Sequence, residues 1–271
     1  MPVDPIKNET VTANNADCLI ASLPEHQHYS DSVGGALIDV NASTGVGAIM
    51  TGRDNVLWLQ CWRDRRTDFN QATVNQLLTR FWPGLDLAQG SRIFVPLCGK
   101  SLDMVWLAKQ GHEVIGVELS PIAVRAFFRE NHLQPTRRKV GNFTLWQHGR
   151  LSILCGDYFS LTLADLGRID TVYDRAALTA LPEDIRVLYV AHLRLIIPET
   201  INVFLLTTED AEETETPSQV FGISEEIKTL YSAGFEIDLA HVESVFEVDP
   251  EAPEQPPGRT EYKVYRLSGR M

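Results

Sequence analysis

Apolar positions along this chain fall into short runs from Asn55 onward, and their spacing alternates between two periods. In TVNQLLTRFW, Thr73 to Trp82, the residues Val74, Leu77, Leu78 and Phe81 lie at helical spacing, and Pro83-Gly84 breaks the pattern. RIFVP, Arg92 to Pro96, is a compact apolar run that predicts a buried strand. Ser101 to Gln110 predicts a helix with Leu102, Val105 and Trp106 on one face and a stop at Gly111. EVIGVE, Glu113 to Glu118, predicts a second strand. Ser120-Pro121 then opens a helix with a cap and a first-turn proline, and Val124, Phe127 and Phe128 form its apolar face.

The alternation continues to the end of the chain. FTLW (Phe143 to Trp146) and LSILC (Leu151 to Cys155) predict a hairpin-like pair, followed by a short helix near Leu163. DTVYD (Asp170 to Asp174) predicts a strand, Pro182 to Ile196 a helix, and INVFLLT (Ile201 to Thr207) a strand. A helix near Ser224 to Ser232 and strands near Phe235 to Val242 and Tyr262 to Leu267 complete the pattern. Strands alternating with helices imply an α/β fold with a doubly wound parallel sheet and ligands at the carboxyl ends of its strands. Residues 1–54 lack this periodicity and are rich in Asn, Ser, Thr, Ala and Gly. They are expected to form a partly flexible extension or a small cap on a domain spanning 55–271.

Composition narrows the partners. A net charge of −12 disfavours nucleic acid and anionic membrane surfaces. Four scattered cysteines make neither a disulfide framework nor a zinc set, so no metal is expected. No secretory signal is visible at the start and no apolar run approaches spanning length, so a soluble, reducing, cytoplasmic setting is expected.

Candidate chemistry gathers at strand ends. Gly99-Lys100-Ser101 ends like a phosphate loop, but the first glycine of that pattern would stand at Phe94, and Pro96 removes an amide from the cradle. The dinucleotide glycine fingerprint is absent too. Glu118 closes the second strand at a separation of about 20 residues, which suits a ribose-binding acid; the other reading is a helix-cap acid. Asp157 and Tyr158 follow LSILC, either beside an adenine or in an ordinary Asp turn. Asp174-Arg175 either orients a substrate in a strand-end crevice or forms a helix-start salt bridge. Cys98, with no His nearby in sequence, reads as a packing residue.

FVPLCGKSLDMVWLAKQGHEVIGVELSPIAV closely resembles the cofactor-binding half of the thiopurine S-methyltransferase family. WLQCWRDRRTDFNQ (Trp58 to Gln71) and IDTVYDRAALTALP are similar to two further segments of that family, so the resemblance runs from residue 58 to about 206. It implies a Rossmann-like class I methyltransferase with a mostly parallel seven-stranded sheet, helices on both faces, and S-adenosylmethionine as cofactor. It further implies that Trp58, Leu97, Gly99, Glu118, Asp157, Tyr158 and Arg175 hold the cofactor. Phe69, with Trp62, would line the acceptor pocket, and Arg175 with Asp174 would serve the reaction.

The function so implied is S-methylation of a small thiol or related soft nucleophile, such as a thiopurine-type thiol, sulfide or methanethiol, by a monomeric enzyme. Halide, selenium or tellurium acceptors are alternatives, as is a catalytically silent cofactor-binding protein; a nicotinamide oxidoreductase ranks last. The chain departs from the family at Cys61, where a basic residue is usual, and at Asn70, where a His is usual. It departs again in the acidic stretch 209–216, within a segment that often shapes the acceptor pocket.

Overall fold

The computed structural model describes residues 55–67, 69–210, 223–247 and 258–270. The expected extension, 1–54, and most of the acidic stretch, from 211 onward, lie outside the described residues. A helix, α1, covers residues 55–63, and α2 follows at Gln76–Phe81. The Asn75 side chain caps α2 by accepting from the amides of Leu77 and Leu78.

The alternating body begins with β1 (Arg92–Val95), α3 (Leu102–Lys109), β2 (Glu113–Glu118) and α4 (Pro121–Glu130). Ser101 and Ser120 cap the two helices through side-chain oxygens that accept from Asp103 and Ala123 amides. Next come β3 (Thr136–Val140), β4 (Phe143–His148), β5 (Leu151–Cys155) and the short α5 (Leu163–Leu166). Then follow β6 (Thr171–Arg175), α6 (Glu183–Ile196), β7 (Asn202–Asp210), α7 (Glu225–Tyr231), β8 (Phe235–Glu247) and β9 (Gly258–Gly269).

All nine strands join one sheet in the order β3-β4-β5-β2-β1-β6-β7-β9-β8. The central ladder β5-β2-β1-β6-β7 is parallel, while β9 and β8 close one side antiparallel. Among the described residues the strand count is therefore nine rather than the seven expected. The difference is β3 and β4, which pair antiparallel with each other and with β5 outside the parallel core. β3, TRRKV, carries no apolar alternation because it is an edge strand. Its exposed Arg137, Arg138 and Lys139 keep that edge from pairing with another chain.

Each central strand feeds two cores because successive side chains point to opposite faces. On β1, Ile93 and Val95 join one cluster with Met104 and Leu107 of α3 and Val124, Phe127 and Phe128 of α4. Phe94 joins the other, with Tyr189 and Leu193 of α6 and Ile227 of α7. The sheet is thus covered on both faces, and its parallel strands all open on one carboxyl edge. No helix among the described residues is long and apolar enough to cross a membrane.

Candidate active site

The turn after β1 is the most constrained segment at that edge. Leu97 has φ +44° and Gly99 φ +52°, so the backbone enters the left-handed region twice in three residues. A leucine rarely adopts this conformation, and such strain persists where surrounding packing enforces it. Here the enforcement is visible. The Cys98 amide donates to the Val117 carbonyl at 2.9 Å, which ties the turn to β2. Cys98 Sγ fills the space where a side chain on Gly116 would stand: a Cβ there would lie 2.6 Å from the sulfur. Burial, with Glu118 nearby, pushes the Cys98 thiol well above its ordinary range, the opposite of what a nucleophile requires.

Glu118 is the node of the site. Its Oε2 accepts from the Gly99 amide at 3.0 Å and its Oε1 from the Ser120 amide at 2.6 Å. One carboxylate therefore joins the turn after β1 to the turn after β2. Burial raises its pKa to about 7, although the backbone donors pull the other way. A carboxylate oxygen accepts more than one hydrogen bond, so lone pairs remain for a vicinal diol.

The exit of β6 is built differently from the sequence expectation. Tyr173 and Arg175 face α3, where Asp103 is buried. Asp103 Oδ2 accepts from the Tyr173 hydroxyl at 2.8 Å and pairs with Arg175 Nε at 3.0 Å, while its Oδ1 accepts from the Asn75 amide at 2.8 Å. Asp174 points to the opposite face and is fully buried, with Oδ2 accepting from the Tyr189 hydroxyl at 2.6 Å. Burial lifts its pKa to about 6, although the Tyr189 hydroxyl and the amides of Leu178 and Ala177 pull the other way. Asp174 and Arg175 therefore do not act as a pair aimed into one crevice, since strand alternation separates them. Ala176, with φ +59°, repeats at this strand end the left-handed step seen at Leu97.

Three aromatic rings gather at the first turn. Phe69 makes edge-to-face contacts with Trp58 and with Trp62, at centroid distances of 5.4 and 5.5 Å. A Cβ on Gly99 would come within 3.5 Å of the Trp62 ring and 3.3 Å of Asn70 Oδ1. The trio thus stands against the turn that Glu118 holds. Asn70 Nδ2 is buried there and has no partner among the described residues.

Asp157 accepts from the Phe159 amide at 3.0 Å, which opens a one-turn 3₁₀ helix, and from Asn55 Nδ2 at 3.3 Å. The Tyr158 side chain goes inward. Its ring stacks on Tyr189 and its hydroxyl donates to the Tyr189 carbonyl at 3.1 Å.

Of the residues singled out from sequence, Trp58, Trp62, Phe69, Gly99 and Glu118 form one contiguous group. Leu97 shares that turn, Arg175 stands at the next strand end, and the side chains of Asp174 and Tyr158 lie in the core. Asp103 and Tyr189 were not singled out. Asp103 reads as an ordinary first-turn acid, and only its contact with β6, some 70 residues away, gives it its role. Tyr189 had one signal, a polar hydroxyl on the apolar face of α6.

The residues fit an adenosyl cofactor. A buried acid with free acceptor capacity ends β2, a glycine lets the backbone pass close beneath Trp62, and aromatic surface covers the turn. A family model described as thiopurine S-methyltransferase matches residues 53–270. A thiopurine S-methyltransferase from Stutzerimonas stutzeri (strain A1501) is 64% identical over 221 residues, covering 82% of this chain and 93% of its own length. One from Nitrosospira multiformis is 40% identical over 214 residues, covering 79% of this chain and 97% of its own. A solved S-adenosylmethionine-dependent methyltransferase from Anabaena variabilis is similar in fold. Its TM-score is 0.50 at 13% identity, with 79% of this chain and 93% of that chain covered.

Proposed function

We propose, from the premise that the chain belongs to the thiopurine S-methyltransferase family, that it methylates a small thiol using S-adenosylmethionine. The observation that carries this is the Glu118 node: one buried carboxylate bonded to both Gly99 and Ser120, beneath the Trp58–Phe69–Trp62 group. S-adenosylmethionine supplies an electrophilic methyl group on a sulfonium centre.

Each residue then has a physical task. Glu118 would accept hydrogen bonds from the ribose hydroxyls of the cofactor, and the turn Leu97–Gly99 would hold its methionine part. Asp157 and the backbone at Tyr158 would hold the adenine; the Tyr158 ring supports them from behind by stacking on Tyr189. Trp58, Phe69 and Trp62 exclude water and present polarisable surface to a soft sulfur acceptor. A free thiol is already partly ionised at neutral pH, so little acid-base machinery is required.

Arg175 is held through Nε by Asp103, and its two terminal nitrogens make no other bond among the described residues. They would stabilise the acceptor's thiolate once its proton has left to water; the cofactor, when bound, would supply the methyl group to that sulfur and depart as S-adenosylhomocysteine. Asp174 acts at one remove, fixing the turn after β6 from the buried side through Tyr189.

The free thiols of Cys61, Cys98 and Cys155 suit a reducing, cytoplasmic compartment, and the net charge of −12 suits a small-molecule acceptor without nucleic acid. The enzyme is read as a monomer. Halide, selenium and tellurium acceptors, a silent cofactor binder and a nicotinamide oxidoreductase are not favoured by the family match. The test is calorimetric titration with S-adenosylhomocysteine and with NADH, followed by a methyl-transfer screen over thiopurines, methanethiol, sulfide and iodide. Selective homocysteine-product binding with a methylated thiol is expected. Binding of NADH alone would remove the reading.

A further inference from the structure

A second concave site lies beside the first, on the outward face of α4. It is a cleft of about 640 Å³ between α4 and the segment that follows α1. α4 buries Ala123, Val124, Phe127 and Phe128 in the core, while Ile122, Arg125, Ala126 and Arg129 line the cleft, so this space adjoins the strand-end site on the other side of Trp62. Trp62 stands between the two, lining the cleft while its ring borders Gly99.

The charge of the cleft is opposite to that of the chain. Five cationic side chains line it, Arg63, Arg65, Lys100, Arg125 and Arg129, against one carboxylate, Glu130. The chain as a whole carries −12. Glu130 is already committed, with Oε2 to Lys100 Nζ at 2.9 Å and Oε1 to Arg129 at 3.4 Å. Arg63, Arg65 and Arg125 have no carboxylate partner among the described residues. Three guanidinium groups without a carboxylate partner among the described residues line one hollow and repel one another, and a multiply charged anion relieves that repulsion. Guanidinium also matches phosphate oxygens in bidentate geometry. Ile122 is 40% exposed and forms an apolar strip with Ala126 beside the row of Arg125 and Arg129 on α4, so part of the wall is suited to carbon rather than charge.

We infer that this cleft binds a small organic polyanion, a phosphorylated compound whose charges meet the arginines and whose apolar or planar body rests on Ile122, Ala126 and Trp62. The volume is that of a small-molecule site, which commonly spans about 300–1,000 Å³.

The experiment is calorimetry on the full chain saturated with S-adenosylhomocysteine, so that the strand-end site is blocked. The probes are guanosine triphosphate and inorganic tripolyphosphate. One saturable site is expected, tighter for the nucleotide, and weakening as salt rises from about 0.05 to about 0.3 M. The exposed double variant Arg65→Glu/Arg125→Glu should weaken the nucleotide at least about tenfold while leaving S-adenosylhomocysteine affinity within about twofold. A Lys replacement at both positions should restore part of the binding. No saturable binding of either probe, or equal affinity in the Glu double variant, would overturn the site. Tripolyphosphate binding as tightly as the nucleotide would overturn the organic part of the assignment.

Discussion

Arg175 Nε lies 3.0 Å from Asp103 Oδ2, and the same oxygen receives the Tyr173 hydroxyl at 2.8 Å. One buried carboxylate on the helix after β1 thereby sets the side-chain position of an arginine at the end of β6. On the role proposed for Arg175, the acid would affect the reaction without reaching a ligand.

Asp103→Ala leaves a mostly buried guanidinium and a buried hydroxyl without their acceptor. Breaking such a pair costs about 3–5 kcal/mol of stability. Asp103→Asn keeps the shape and is expected to fold, with kcat lowered and S-adenosylhomocysteine affinity changed much less. Tyr173→Phe removes one arm and leaves the ion pair, so its kcat should stay near wild type. Denaturant unfolding with steady-state kinetics on all three variants checks this; a Tyr173→Phe enzyme as slow as Asp103→Asn would show that Arg175 placement is not the cause.

Glu118 has a pKa of about 7 in the free protein because burial disfavours its charge. Ribose hydroxyls donate to the ionised form and so lower that pKa on binding. Cofactor-product binding near pH 7 should therefore release about half a proton, approaching one at lower pH, and affinity should fall by up to about tenfold per pH unit below 7. Calorimetry in buffers of different ionisation enthalpy measures the proton count. Glu118→Gln should weaken binding and abolish both the release and the slope.

Asp174 bears on stability rather than on binding. Its folded pKa of about 6 lies above the unfolded value of about 3.9, so the folded form holds a proton that the unfolded chain has lost. Its contribution is fully present below pH 4 and is lost as pH rises through 6. Tyr189→Phe removes the donor that stabilises the charged form. The variant should lose about 1–3 kcal/mol at pH 8 and less at pH 5, read from unfolding curves at the two values.

Gly116→Ala tests the packing of the first turn. Its new methyl would meet Cys98 Sγ and Met104, neither of which sits in open space. Overpacking of this kind costs about 1–3 kcal/mol. Because Cys98 and Gly99 move together, cofactor affinity should also fall, and Cys98→Ala on the same background should restore part of both losses.

The strands of the parallel core were legible because each is a short apolar run bounded by breakers, and Glu118 was legible because its place at a strand end has a distinct spacing. β3 was not, since an exposed edge strand with Arg137, Arg138 and Lys139 shows no alternation. The side-by-side reading of Asp174 and Arg175 failed on a rule available in the sequence: neighbours on a strand face opposite ways. Asp103 is a different case. Nothing local distinguishes a buried helix acid from a solvated one, and its partners Tyr173 and Arg175 come from a distant strand.

The ladder between β1 and β6 has only two residue pairs in register, Ile93 with Thr171 and Phe94 with Val172, whereas β6 and β7 match over five. The two halves of the sheet are thus joined by a short seam, and the candidate site opens where that seam ends. Asp103 bridges it from above by tying the helix after β1 to Tyr173 and Arg175. A ligand resting across the strand ends therefore acts as a fastener between two half-sheets. Amide exchange at Phe94 and Val172, the paired residues of the seam, should slow more on cofactor binding than exchange within β7, because that ladder opens when the halves part.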